Sequence, residues 1–199
     1  MRKPAPDQDA AAKWDRIYSQ GGHDFAGAAR VLIEFQHLLP PSGDALDAAC
    51  GVGGNALLLA RLGLRVHAWD ISRTAIDQLA GRAAASGAIL LTEQRDVATA
   101  PPAPGSFDVI VVSHFLDRGL VPHLRNALRP RGLLYYQTFL RESCSDRGPH
   151  NPDYRLGANE LLRLFAGMHI IYYREEGRVG RNGEGFRDEA MLIAQRRES

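Results

Sequence analysis

Between Ala45 and Phe139, short apolar runs alternate with helical segments, and that alternation restricts the chain to few folds. Residues 45–49, 65–69, 89–92, 107–112 and 133–139 read as strands. The β-branched run Val109-Ile110-Val111-Val112 has the composition of a strand buried on both faces. Helices are expected over 55–62, from Ser72 to Gly87, and over about 121–128. Ser72 is a good N-cap, because its hydroxyl can accept from an unpaired backbone donor of the first turn, and Gly87 suits the C-terminal stop. Ala75, Ile76, Leu79, Ala80 and Ala83 form the apolar stripe between them. Strands alternating with helices predict a doubly wound α/β fold with a mostly parallel sheet. After Phe139 the pattern changes to a polar loop over 141–156 and a helix over about 159–165. Two strands, 168–175 and 189–195, then predict a closing antiparallel hairpin and bring the sheet to seven strands. Upstream, residues 14–19 and 28–38 read as helices. The first dozen residues, rich in Ala, Pro and Asp, are expected to be loose.

In a sheet of this kind, ligands bind at the carboxyl ends of the strands, near the switch in strand order. The segment Asp47-Ala48-Ala49-Cys50-Gly51-Val52-Gly53-Gly54-Asn55 falls at such an end, on a strand-to-helix turn whose glycines allow close backbone approach. Asp70 ends the second strand and Asp96 follows the third. With Asp47, they would put one carboxylate at the end of each of three successive strands, all facing one crevice. Such a set suits a cationic, hydroxyl-rich ligand. Asp70 would accept from ribose hydroxyls, Asp96 from the exocyclic amine of adenine, and Asp47 would lie near an ammonium.

At this point the chain resembles the class I S-adenosylmethionine-dependent methyltransferases. The resemblance runs from Asp44 to Arg196. It is carried by the glycine-rich turn, the acidic end of strand two, Arg95-Asp96-Val97, Phe107-Asp108-Val109-Ile110, Leu128-Arg129-Pro130-Arg131-Gly132-Leu133 and the final hairpin. Within the class it is most similar to the small tellurite-resistance type, whose N-terminal Trp-x-x-x-Tyr helix over the cofactor is matched by Trp14-Asp15-Arg16-Ile17-Tyr18. The resemblance implies S-adenosylmethionine as cofactor and S-adenosylhomocysteine as product. It implies cofactor contacts from Trp14, Tyr18, Asp47, Ala49, Gly51, Gly53, Asn55, Asp70, Ile71, Asp96, Val97 and Ser113. His114, after strand four, is the implied base or substrate contact. The family usually has Gly where Ala49 stands, a mild replacement if the backbone there is ordinary. The organisation expected is one domain: a helical cap over 1–40, a cofactor-binding core over 44–140, and a substrate-side segment with the hairpin over 141–199.

The implied chemistry is in-line displacement onto a small-molecule acceptor, with alignment and exclusion of water as the protein's main tasks. A net charge of +1 gives no general reason to expect nucleic acid or a membrane as partner. Convergence of Arg141, Arg147, Arg155, Arg178, Arg181 and Arg187 would favour an anionic acceptor. Two cysteines form no disulfide framework, no metal-ligand spacing occurs, and no apolar run is long enough to span a bilayer, so the cytoplasm is the expected compartment. Two other readings compete. Gly51-Val52-Gly53-Gly54-Asn55-Ala56 also satisfies the dinucleotide fingerprint of a nicotinamide-dependent oxidoreductase, and a cofactor-binding protein without catalysis would look the same.

Overall fold

The computed structural model describes residues 8–21 and 27–198. Helix α1 (Gln8–Ser19) precedes a short α2 (Arg30–Glu34), and the strand–helix alternation then follows in the predicted order. It runs β1 (Asp44–Ala48), α3 (Gly54–Arg61), β2 (Arg65–Asp70), α4 (Arg73–Ser86), β3 (Leu90–Gln94), β4 (Phe107–Ser113), α5 (Val121–Ala127) and β5 (Leu128–Phe139). Helix α6 (Glu160–Leu164), β6 (His169–Glu175) and β7 (Glu189–Gln195) close the chain. The seven strands form one sheet in the order β3-β2-β1-β4-β5-β7-β6. Strands β1 to β5 are parallel, and β7 lies antiparallel between β5 and β6. The order reverses between β1 and β4, which places the switch point at their carboxyl ends.

Alternate residues of the central strands feed two apolar layers. Leu46, Ile110, Val112, Leu134 and Tyr136 pack with Leu124, Leu161 and Phe165 of the α5–α6 side. Ala45, Val109, Val111, Tyr135 and Ile193 pack with Val31, Leu32, Leu59, Ile76 and Leu79 of the α2, α3 and α4 side. Ser72 is the N-cap of α4, its Oγ accepting from the Ala75 N–H at 3.1 Å, and Gly87 ends the helix at a φ of 69°.

At the amino ends of the strands, away from the switch point, Asp44 pairs with Arg65 and with Arg129 (2.9 Å), and Arg129 also reaches Asp108 at 2.5 Å. This ties the starts of β1, β2, β4 and β5 together. The Arg65 hydrogen bond holds the Asp44 carboxyl below the usual carboxylate range.

Three expectations need correction. Helix α1 begins at Gln8, so the part of the supposed loose tail that is described is helical. Three alanines in its first turns, at the top of the helix-propensity scale, explain this. The helix expected over 28–38 is one turn of α-helix followed by a 3₁₀ turn over Gln36–Leu38. Pro130-Arg131-Gly132 is not a turn before the fifth strand. It lies inside β5, where the register jumps from Phe107↔Leu128 to Val109↔Leu133 and Arg131 takes a φ of 64°.

Candidate active site

The turn after β1 is held open by left-handed backbone. Ala49, Gly51 and Gly53 have φ of 55°, 53° and 76°. Ala49 is therefore not in an ordinary conformation, and the condition under which alanine would be a mild replacement for glycine is not met. A left-handed alanine carries about 1 kcal/mol of strain. Ala49→Gly is expected to raise stability by about that amount in a denaturant titration.

Asp70 lies beneath this turn and is 5% exposed. Its Oδ2 accepts the Gly51 N–H at 2.7 Å and its Oδ1 the Ser72 N–H at 2.9 Å. Burial pushes its carboxyl up. Each carboxylate oxygen keeps a further acceptor position for a ligand hydroxyl. Asp96 stands beyond the end of β3, half-buried, its carboxylate accepting from the Ala98 N–H and the Thr99 hydroxyl, both at 2.9 Å. Ile71 is half-buried beside Asp70, and Val97 is buried against the sheet.

Asp47 differs from the other two. It is fully buried, and its oxygens accept the Ala56 N–H at 3.0 Å and the Asn55 side-chain amide at 3.2 Å. Burial pushes its carboxyl up to about 7. The expectation that all three carboxylates face one crevice does not hold for Asp47, which is turned inward to the start of α3. Asn55 is likewise enclosed. Its Oδ1 accepts the Ala29 N–H at 2.7 Å and its Nδ2 donates to Asp47 and, at 2.9 Å, to the Ser113 hydroxyl.

Helix α1 covers the turn. Asp15 accepts from the Ser72 hydroxyl at 2.6 Å and the Thr74 N–H at 2.9 Å, and so pins α1 on the start of α4. Gln78 donates to the Tyr18 carbonyl at 3.0 Å. A Cβ built on Gly51 would stand 2.6 Å from the Tyr18 hydroxyl. Trp14 lies one helical turn earlier, its ring centroid 5.9 Å from that of Tyr18. Desolvation, reinforced by Asp70, raises the Tyr18 phenol above its ordinary value.

A second hollow opens at the ends of β4 and β5. It is a cavity of about 150 Å³ lined by Gly27, Ala28, Ala29, Arg30, His114, Gln137, Arg147 and Glu189. Two buried amides hold its wall. Asn55 binds the Ala29 N–H, and Gln137 Oε1 accepts the Val31 N–H at 2.8 Å. His114 has a φ of 54° and its ring Nε2 lies 3.1 Å from Glu189 Oε2. Gln137 Nε2 donates to the same oxygen at 2.6 Å. Left-handed non-glycine residues at functional sites are a recognised form of stored strain, and Ala49 and His114 follow the two strands that flank the switch point.

The six candidate arginines do not converge. Arg141, Arg155 and Arg187 donate to backbone carbonyls near them in the chain, and Arg178 donates to the Ser143 carbonyl of the loop after β5. Arg181 pairs with Glu184. Arg147 alone among them lines the cavity, with NH2 3.6 Å from Glu189 Oε1. Its loop is fixed by the buried Asp188, which accepts from the Cys144 and Ser145 N–H groups and the Ser145 hydroxyl. Sequence reasoning missed Asp15, Gln137 and Glu189. The available signal was a polar residue within a strand otherwise apolar: Gln137 in Leu133–Phe139, and Glu189 at the head of Ala190–Ala194.

A parallel sheet with an inserted antiparallel seventh strand, a glycine turn at the switch point and an acid at the end of β2 are features in which the chain resembles the class I S-adenosylmethionine-dependent methyltransferases. Residues 45–132 match the methyltransferase domain family. A comparison with curated proteins finds no match. Solved structures share the fold. One, concerned with conversion of a disulfide bond into a thioacetal group in echinomycin biosynthesis, is 24% identical, with 94% of this chain and 92% of that one covered and a TM-score of 0.73. TehB from Haemophilus influenzae is 21% identical over 92% of this chain and 67% of its own, with a TM-score of 0.69. An S-adenosylmethionine-dependent methyltransferase from Methanosarcina mazei is 20% identical over 87% and 100%, with a TM-score of 0.66.

The crevice residues fit this cofactor. The turn over Ala49–Gly53 is a cradle that a Cβ at Gly51 would fill. The buried Asp70 carboxylate supplies the acceptor that two vicinal hydroxyls need.

Proposed function

We propose that this chain transfers a methyl group from S-adenosylmethionine to a small-molecule acceptor bound in the His114 cavity. The observation that carries this reading is that cavity: a polar hollow at the carboxyl ends of β4 and β5, next to the switch-point crevice. Asp70 would hold the ribose, Asp96 the adenine amine, and Ile71 and Val97 the faces of the ring. The turn over Ala49, Gly51 and Gly53 would receive the amino acid part. Tyr18 and Trp14 would cover the cofactor, and Ser113 would border it. Asp47 and Asn55 would act indirectly, by fixing the start of α3 and the wall at Ala29. Bound, the cofactor supplies a methyl group on a sulfonium sulfur, so that an acceptor lone pair forms the new bond to carbon while the carbon–sulfur pair stays on sulfur.

The task left to the protein is alignment in a water-excluded space, which is worth roughly 7–11 kcal/mol for two well-oriented reactants. Arg30 and Arg147 are the arginines that line the cavity, and either would favour an acceptor with an anionic group. The small cavity favours a small acceptor. Among the described residues no helix is long and apolar enough to cross a membrane, and Cys50 and Cys144 are not disulfide-bonded. A cytoplasmic location is part of the proposal.

His114→Ala is expected to lower turnover about a hundredfold, the usual worth of a positioned acid or base, with little change in S-adenosylhomocysteine affinity. The check is rate and calorimetry together, using whichever of a panel of small thiols, carboxylic acids, phenols and amines is methylated. Equal loss of rate and affinity would place His114 in cofactor binding instead.

A further inference from the structure

We propose that Asp15 is a positioning residue that latches helix α1 over the switch-point crevice and thereby sets how fast S-adenosylhomocysteine leaves it. The inference rests on the reading of that crevice as the cofactor site.

Helix α1 is held at its surface rather than by a core. It is 12 residues long, a length at which an isolated helix is marginal in water. None of its described side chains is buried, and Trp14 is 40% exposed. Its place therefore depends on polar contacts with α4. Asp15 Oδ1 accepts the Ser72 hydroxyl at 2.6 Å and the Thr74 N–H at 2.9 Å, and Gln78 donates to the Tyr18 carbonyl at 3.0 Å. The Ser72 hydrogen bond holds the Asp15 carboxyl below the usual carboxylate range. Asp15 is thus an ionised acceptor, and it sits at the amino end of the 14-residue α4, where the helix dipole favours a negative charge.

The latch and the expected ribose acid share one residue. Ser72 is fully buried. Its hydroxyl donates to Asp15, its Oγ accepts the Ala75 N–H, and its N–H donates to Asp70 Oδ1. Asp70 Oδ2 in turn accepts the Gly51 N–H. A continuous run of bonds therefore leads from α1 through Ser72 and Asp70 to the glycine turn. Tyr18 closes the circuit from above. It lies three residues after Asp15, on the same face of the helix, and its hydroxyl is 2.6 Å from where a Cβ on Gly51 would stand. A ligand held between the turn and Asp70 lies under α1 and leaves when α1 lifts. Losing the two Asp15 bonds makes that lifting easier and removes no group assigned to the cofactor itself.

Two measurements on the full chain test this. The first is amide hydrogen exchange of the ligand-free protein, read on peptides from α1. Asp15→Ala is expected to speed exchange there about tenfold, while peptides from the sheet exchange as in the wild type. Alanine is the better helix former, so helix propensity alone would slow exchange. Asp15→Asn, whose amide oxygen can still accept both bonds, should stay near the wild type. The second is stopped-flow binding of S-adenosylhomocysteine, followed by tryptophan fluorescence. Its dissociation should be about tenfold faster from Asp15→Ala, the loss expected for bonds to a half-exposed charge, with association within about twofold of the wild type. Asp15→Asn should restore slow dissociation. Unchanged exchange or unchanged dissociation in Asp15→Ala, or equal acceleration in both variants, overturns the proposal. A loss confined to association also overturns it, since Asp15 would then shape the crevice and not latch the helix. Failure of the wild type to bind S-adenosylhomocysteine overturns the cofactor reading and the proposal with it, whereas wild-type binding with unchanged dissociation from Asp15→Ala overturns the proposal alone.

Discussion

An Asp70→Ala variant is expected to bind S-adenosylhomocysteine about ten- to a hundredfold more weakly than the wild type. The size follows from the bonds lost. A hydrogen bond to a charged group contributes about 1.5–3 kcal/mol, and each 1.4 kcal/mol is a factor of ten in affinity. Asp70 also organises the protein side of the crevice, since the Gly51 N–H at 2.7 Å and the Ser72 N–H at 2.9 Å both donate to it. The variant therefore loses the ribose acceptor and the tether of the glycine turn in one step. Calorimetric titration, with circular dichroism to establish that the variant is folded, reads the result. Unchanged affinity in a folded Asp70→Ala protein would remove Asp70 from the site.

The second large effect is on stability. Asn55→Ala is expected to lower the unfolding free energy by about 2–4 kcal/mol, because it leaves buried partners without their bonds. The Ala29 N–H loses its acceptor, and Asp47 and Ser113 lose a donor. Asp47 is fully buried, and the Asn55 amide opposes the burial that raises its carboxyl. Asn55→Asp should fare no better, since it would set a second carboxylate 3.2 Å from Asp47. Urea unfolding of both variants measures this. A loss below about 0.5 kcal/mol, the scale of an ordinary surface substitution, would mean that Asn55 is not the hub of this wall.

The parts of the fold legible in the sequence are those with local patterns. The buried run of β4 (all of Val109–Val112 fully enclosed), the Ser72 cap and each strand of the closing antiparallel pair announce themselves within a dozen residues. The glycine turn and Asp70 are legible for the same reason, being tied to strand ends. Residues 130–132 misled because proline and glycine usually punctuate turns, whereas here they form the irregular start of a long strand whose register is set by β4. Ala49 misled because a residue's identity does not reveal its φ.

The cavity was the least legible part. Its bonds join residues far apart in the chain: Val31 to Gln137 across 106 positions, His114 to Glu189 across 75, Gln137 to Glu189 across 52. No short-range spacing encodes such pairs. They become neighbours only because β7 inserts beside β5 and brings Glu189 opposite Phe139. The arginines show the converse. Six of them look like an anion site on paper, but four serve the carbonyls of irregular loops, which need donors wherever strand pairing is absent.

The most direct test of the account is calorimetric titration of the purified protein with S-adenosylhomocysteine, with NAD and NADP run alongside. The account predicts micromolar binding of S-adenosylhomocysteine and none of either nicotinamide. Binding of NAD or NADP, or of none of the three, would contradict it.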